Sequence, residues 1–219
     1  MPEIEPIADR RELAKTQPAK SERWPRTDRR RTRIEGVLGR RQPDLTVVLE
    51  NVHDRHNVSA VLRSCDGVGI LEVHLVYTVG DPPVGDFART TSTGAAKWIA
   101  ATRYGSIAEC YAALRARGFG VLATAVDDRS RSLYEVDLCR PTALVFGNET
   151  RGVSDEARDL ADGGIEIPML GMAQSLNISV ACAVTLYEAL RQRLAAGHYD
   201  SAKLATEARA TLTAEWLER

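Results

Sequence analysis

Leu45-Thr-Val-Val-Leu49 is a near-continuous apolar run, the pattern of a strand buried on both faces of a parallel sheet. Strand signals recur at Glu72–Tyr77, Trp98–Tyr104, Gly120–Ala125, Ala143–Phe146 and Ile165–Ile167. Helical periodicity stands between several of them. Val58, Val61, Leu62, Cys65 and Val68 share one face of the first helix, and Ile107, Cys110, Tyr111 and Leu114 share one face of Ser106–Arg117. This alternation predicts an α/β fold: a mainly parallel sheet flanked by helices and joined by right-handed crossovers.

The flanks read differently. Residues 1–20 are polar, carry Pro2, Pro6 and Pro18, and are expected to form a flexible arm. Residues 21–42 form a basic segment; between Lys20 and Arg41 there are nine Lys or Arg against three acidic residues, although the whole chain has a net charge of −1. A helix capped by Thr27 or Asp28 would place Ile34, Val37 and Leu38 on a thin apolar stripe and Arg29, Arg30, Arg31 and Arg33 in water. Such a segment suits a polyanion, and a merely solvated face would look the same. The α/β pattern occupies residues 43–196. In the remaining appendage, 197–219, a helix over Ser201–Leu217 carries Leu204, Ala208, Leu212 and Trp216 at helical spacing. The helix from Ile178 is apolar or small on most of its surface, so it should be buried on more than one side, as a dimer interface would allow. Gly197 should end it.

Several chemistries lack their residues. Cys65, Cys110, Cys139 and Cys182 are far apart, which fits reduced thiols in a cytoplasm. His53 and His56 have no third ligand at suitable spacing, so no metal is expected. No apolar run approaches the ~18 residues of a membrane span, and the N-terminus is too charged for a secretory signal. Gly67-Val-Gly69 lacks the third glycine of a dinucleotide fingerprint and falls at a helix end; the Walker and Gly-x-Ser-x-Gly patterns are absent.

Three polar clusters remain, Asn51–Arg63, Phe146–Gly152 and Pro168–Asn177, each following a strand signal. Ligands of open α/β sheets bind outside the carboxyl ends of the strands, so the three can converge. The third cluster is unusual for a loop because Met169, Leu170, Met172 and Leu176 are apolar. It is expected to fold back and bury part of itself, with Asn177 as N-cap of the next helix and Ser175 satisfying another free N–H. A packed, capped loop and a pocket wall are both compatible with these residues.

The clusters resemble the three motifs of the SpoU branch of the SPOUT RNA methyltransferases, and within it the TrmH tRNA ribose methyltransferases. The matching residues are Glu50-Asn-Val-His with His56-Asn-Val-Ser-Ala-Val-Leu-Arg63, then Leu144-Val-Phe-Gly-Asn-Glu-Thr-Arg-Gly-Val153, then Ile167-Pro-Met with Gln174-Ser-Leu-Asn-Ile-Ser-Val180. The resemblance runs from about Arg29 to the C-terminus and takes in Thr93-Gly-Ala-Ala-Lys-Trp98 and Tyr187-Glu-Ala-Leu-Arg-Gln-Arg193.

This resemblance implies a C-terminal deep trefoil knot, S-adenosylmethionine bound in it, no metal, an obligate homodimer and tRNA as partner. By matching positions, Thr124, Gly147, Ile167, Met169 and Leu176 would line the cofactor pocket. Asn57, Arg63, Glu149, Ser175 and Asn177 would form the reacting region. For their positive charge, Arg30, Arg33, Arg41, Lys97, Arg191 and Arg193 are the candidates to contact RNA phosphates. The implied reaction is methyl transfer to a ribose 2′-hydroxyl, at guanosine 18 of the tRNA D-loop. Ribosomal RNA is the near alternative, and a knotted RNA-binding protein without activity is a further one. The reactive methyl belongs to the cofactor, which leaves the protein to orient the hydroxyl and stabilise its developing charge. Arg63 is too weak a base to take the proton, so its expected role is electrostatic. Its bland alternative is an ion pair with Asp66, three residues along the same helix. Glu149 has one too, as a cap for the helix near Ser154.

Overall fold

The computed structural model describes residues 26–80, 94–128 and 130–219. The expected arm over residues 1–20, the first residues of the basic segment and most of the loop before Gly94 lie outside the described residues. The first helix, α1, spans Arg26–Leu38. Thr27 and Asp28 therefore sit inside its first turn and not at a cap, where Asp28 favours the helix dipole.

Seven strands follow: β1 (Leu45–Glu50), β2 (Glu72–Val76), β3 (Ala100–Tyr104), β4 (Gly120–Thr124), β5 (Ser130–Ser132), β6 (Thr142–Phe146) and β7 (Gly163–Glu166). They form one sheet in the order β3-β2-β1-β6-β4-β7-β5, and every pairing is parallel. The short β5 had no signal, because Ser-Arg-Ser carries neither alternation nor apolar mass. β7 begins two residues before its apolar pair, at Gly163 and Gly164, where the absent side chain of Gly164 admits Ser130 of β5.

Alternate side chains of β1 divide the interior. Val47 and Leu49 join one cluster with α2 (Arg55–Val68) and α5 (Ile178–Ala195). Val48 joins another with α3 (Ile107–Ala116) and the short α4 (Asp155–Asp159). All six β1 residues are buried, as expected for a central parallel strand covered on both faces. α5 ends in a Schellman turn: Gly197 has φ 74 and the His198 N–H reaches the Arg193 carbonyl at 2.9 Å.

The last helix, α6, spans Thr206–Glu218 and starts later than its apolar periodicity alone predicts. Trp216 packs with Ile34 and Leu38 of α1, and its ring lies 4.9 Å from that of Trp98. Trp98 thus belongs to this satellite core and not to β3. On α5, Val180, Tyr187 and Leu194 are exposed in the single chain. Spaced seven apart, they make an apolar stripe along the side away from the sheet. Among the described residues, no helix is long and apolar enough to cross a membrane and no cluster could hold a metal ion.

Candidate active site

Because the sheet is parallel, β1, β6 and β7 deliver their following loops to one edge. Glu50, the last residue of β1, is buried, and its carboxylate accepts the Ser154 N–H at 2.9 Å. That bond ties the loop after β6 to β1. Asn51 turns into left-handed backbone at φ 52, a conformation asparagine tolerates better than most residues. Its side-chain oxygen accepts the N–H groups of Thr78 and Val79 at 2.8 and 3.1 Å, and its carbonyl accepts from Asn148 Nδ2 at 2.9 Å. Asn148 and Gly152 bridge through paired backbone bonds of 2.9 and 2.8 Å. A side chain on Gly147 would collide with the Gly152 backbone, so glycine is required there.

Within this frame a chain of side-chain hydrogen bonds crosses all three loops. Asn177 caps α5: its Oδ1 accepts the Ser179 N–H at 2.8 Å and the Ser179 hydroxyl at 2.6 Å. Those bonds make Oδ1 the acceptor, so Nδ2 must face outward, where it donates to Asn57 Oδ1 at 3.2 Å. Asn57 in turn donates through Nδ2 to Glu149 Oε1 at 3.0 Å. A carboxylate only accepts, so the polarity of the chain has one solution, running from Ser179 to Glu149. Asn57 is buried, while Glu149 and Asn177 reach the surface. Ser179 is a member that the sequence reading missed; its signal was a hydroxyl two residues beyond an N-cap. Tyr77 lies close by, donating to the Val52 carbonyl at 3.2 Å. Burial, aided by Glu149, raises its phenol pKa to about 12.

The alternative roles resolve differently. Ser154 caps α4 with its own hydroxyl, which accepts the Ala157 N–H at 3.1 Å, so Glu149 is no cap. Asp66 pairs with Arg41 at 2.6 Å, and Arg63 is exposed with no hydrogen bond or ion pair among the described residues. Six residues along α2 at about 100° each put Arg63 about 120° around the helix from Asn57. Arg63 therefore faces away from the amide chain, on the side of Gly67, where an added Cβ would stand 3.3 Å from the Tyr187 hydroxyl of the exposed stripe.

Ser175 is exposed and makes no hydrogen bond among the described residues. Its loop is buried only in part: Met169, Leu176 and Ile167 are half-buried, while Leu170 and Met172 are fully exposed. At the neighbouring strand ends, the Thr124 hydroxyl donates to the Val145 carbonyl at 2.8 Å. Thr124, Ile167, Met169 and Leu176 are thus half-buried and Gly147 buried at the strand ends.

Two of the expected RNA contacts are corrected outright. Arg41 is 1% exposed and Arg193 fully buried. Arg193 pairs with Asp44 at 2.7 Å and donates to the carbonyls of Leu138, Asp44 and Arg140, so no donor is left for a phosphate. Arg30 donates to the Trp216 carbonyl at 3.2 Å, Arg191 forks onto Glu188 at 2.8 Å through two nitrogens, and Arg33 and Lys97 are exposed.

A family model described as the SpoU rRNA methylase family matches residues 44–187. The tRNA (guanosine(18)-2′-O)-methyltransferase of Thermus thermophilus is 53% identical over 194 residues, 89% of this chain and 98% of its own. The solved TrmH/SpoU tRNA modifying enzyme of A. aeolicus superposes with a TM-score of 0.80 at 38% identity, covering 88% of this chain and 96% of that one. The SpoU methyltransferase AviRb from Streptomyces viridochromogenes, solved in complex with the cofactor AdoMet, gives 0.61 at 29% identity over 71% of this chain and 59% of its own.

Proposed function

The chain belongs to the SpoU methylase family, and from that premise we propose that it is an RNA methyltransferase that transfers a methyl group from S-adenosylmethionine to the 2′-hydroxyl of guanosine 18 in tRNA. The observation that carries the reading to this chain's own residues is the hydrogen-bonded chain Ser179–Asn177–Asn57–Glu149, which joins the three loops with a single polarity.

The cofactor supplies a methyl group already activated on a cationic sulfur. The half-buried Ile167, Met169 and Leu176, with Gly147 and Thr124 at the strand ends, would hold it. Asn177 and Asn57 then present fixed amide dipoles at the carboxyl edge of the sheet, and such preorganised groups need no reorganisation as charge develops. Ser175 would meet the incoming ribose. Arg63, with no carboxylate partner among the described residues, would stabilise the forming alkoxide as its proton passes to solvent, and the methyl would leave its sulfur with S-adenosylhomocysteine released as the neutral thioether.

A homodimer belongs to this reading. It would cover the Val180–Tyr187–Leu194 stripe, beside which Arg63 stands, and would bring Arg63 to a partner's amide chain. A single-chain mass in light scattering would remove it. The trefoil knot is proposed as well, supported by the position of β7, which enters between β4 and β5 although it follows both in the chain. Experimental coordinates whose backbone passes through no loop would remove the knot. For RNA contact, Arg30, Arg33, Lys97 and Arg191 remain candidates, with salt-sensitive phosphate binding expected.

Incubation with labelled S-adenosylmethionine and an unmodified tRNA transcript, followed by mapping of the methylated nucleotide, tests the reading. The expected product is 2′-O-methylguanosine at position 18. Label in ribosomal RNA alone would displace tRNA as the substrate, and label in neither RNA would overturn the activity.

A further inference from the structure

Arg63 and Asp66 are one helical turn apart on α2, a spacing at which opposite charges ordinarily pair. They do not pair here, and the reason lies in the connection between α1 and β1. Gly69 ends α2 with φ 90, and a side chain there would stand 2.7 Å from the Arg40 carbonyl oxygen. The glycine lets the backbone at Arg40 close on the helix end, where the Gln42 N–H bonds the Gly69 carbonyl at 2.8 Å. Arg41 is thereby carried inside. Its Nη1 donates to the Ile70 carbonyl at 2.8 Å, its Nη2 reaches Asp66 Oδ1 at 2.6 Å, and its guanidinium lies 5.1 Å from the centre of the Trp216 ring. Its Nε is buried without a hydrogen-bond partner among the described residues. The group is thus seated for Asp66 and the ring at the expense of its own full satisfaction.

We propose that Arg41 is a positioning residue for methyl transfer: it holds the Asp66 carboxylate and so keeps the Arg63 guanidinium free for the substrate. The inference rests on the reading of Arg63 given above. It also gives α6 a part in the site, because Trp216 forms one wall of the Arg41 seat. An exposed pair three residues apart shifts an equilibrium about twofold. Releasing Asp66 should therefore tie up Arg63 about two thirds of the time and lower turnover about threefold.

The test compares single-turnover rates at saturating S-adenosylmethionine and tRNA for Arg63→Ala, Arg41→Met and Arg41→Met with Asp66→Asn, each with its melting curve. Arg41→Met should lose about threefold, and adding Asp66→Asn should restore the rate, because the competing carboxylate has gone while the cavity has not been repaired. A double variant as slow as Arg41→Met would overturn the proposal in favour of plain packing, and so would a single variant at the wild-type rate. Where Arg41→Met does not fold, Gly67→Asp against Gly67→Asn decides. Both bring the same Cβ towards Tyr187, but only the aspartate offers Arg63 a carboxylate that Arg41 does not hold. Equal rates for that pair would overturn the proposal. Wild-type turnover by Arg63→Ala would instead remove the role assigned to Arg63 itself.

Discussion

At the amino-terminal edge of the sheet, Arg193 lies buried with Asp44, Gln42 and three backbone carbonyls around it, and Lys203 completes the cluster by pairing with Asp44 at 2.6 Å. At the carboxyl edge the amide chain ends on an exposed glutamate, and on the outer face of α2, turned away from that chain, Arg63 stands in solvent with no partner among the described residues. The buried cluster satisfies its charges within the chain, whereas Arg63 is left unpaired among the described residues and Leu170 and Met172 of the third loop are fully exposed. The difference separates holding a fold from meeting a ligand. A buried charge must be paired at home because an unpaired one is costly, whereas a group that stabilises a transition state has to arrive unspent.

The sharpest way to break this contrast is to truncate both arginines. Arg193→Ala should cost about 3–5 kcal/mol by leaving Gln42 and three backbone carbonyls without their donor and Asp44 with Lys203 alone, seen as a large drop in the denaturation midpoint. Arg63→Ala should leave melting unchanged and slow methyl transfer about a hundredfold or more, on the order of 2.7 kcal/mol of barrier. If the two variants exchanged phenotypes, the contrast between the buried and the exposed arginine would be wrong.

Asn177 belongs to both regimes, as helix cap and as link in the amide chain. Asn177→Ala is expected to cost about 1 kcal/mol of stability through the lost cap, together with about a hundredfold in rate. A variant that loses the stability and keeps the rate would reduce Asn177 to a cap.

The smallest expected effect concerns a buried group at neither edge. His74 is buried with neither ring nitrogen in a hydrogen bond among the described residues, and its Nε2 lies 3.9 Å from Glu72. Burial lowers its pKa, and Glu72 opposes that shift only in part. A folded pKa below the unfolded value means that the unfolded chain takes up the proton first. Stability is therefore complete above about pH 6.5 and falls as the pH drops below it. His74→Leu should flatten the melting temperature between about pH 6.5 and 5; an unaltered slope there would assign the acid sensitivity to other groups.

Much of this was legible in the residues. Runs such as Leu45–Leu49 and the helical face of Val58, Val61, Leu62 and Cys65 announce a covered parallel sheet, because side-chain period and burial are local properties of the chain. The three polar clusters could be placed at strand ends for the same reason, and Asn177 could be read as a cap. The short β5 was not legible, since Ser130–Ser132 is a strand only because Gly164 of β7 leaves room beside it.

The arginines mark the limit of the sequence. By itself it determined the strand and helix alternation, the convergence of three motifs on one edge, and through those motifs the family. Six basic residues looked equivalent as RNA contacts, yet the tertiary structure buries Arg41 and Arg193 and leaves Arg33 and Lys97 in water. Whether Arg63 would pair with Asp66 depended on Arg41, 25 residues upstream of that aspartate. Local periodicity sets which way a side chain points from its own helix, but the charge it meets there comes from wherever the fold brings the rest of the chain.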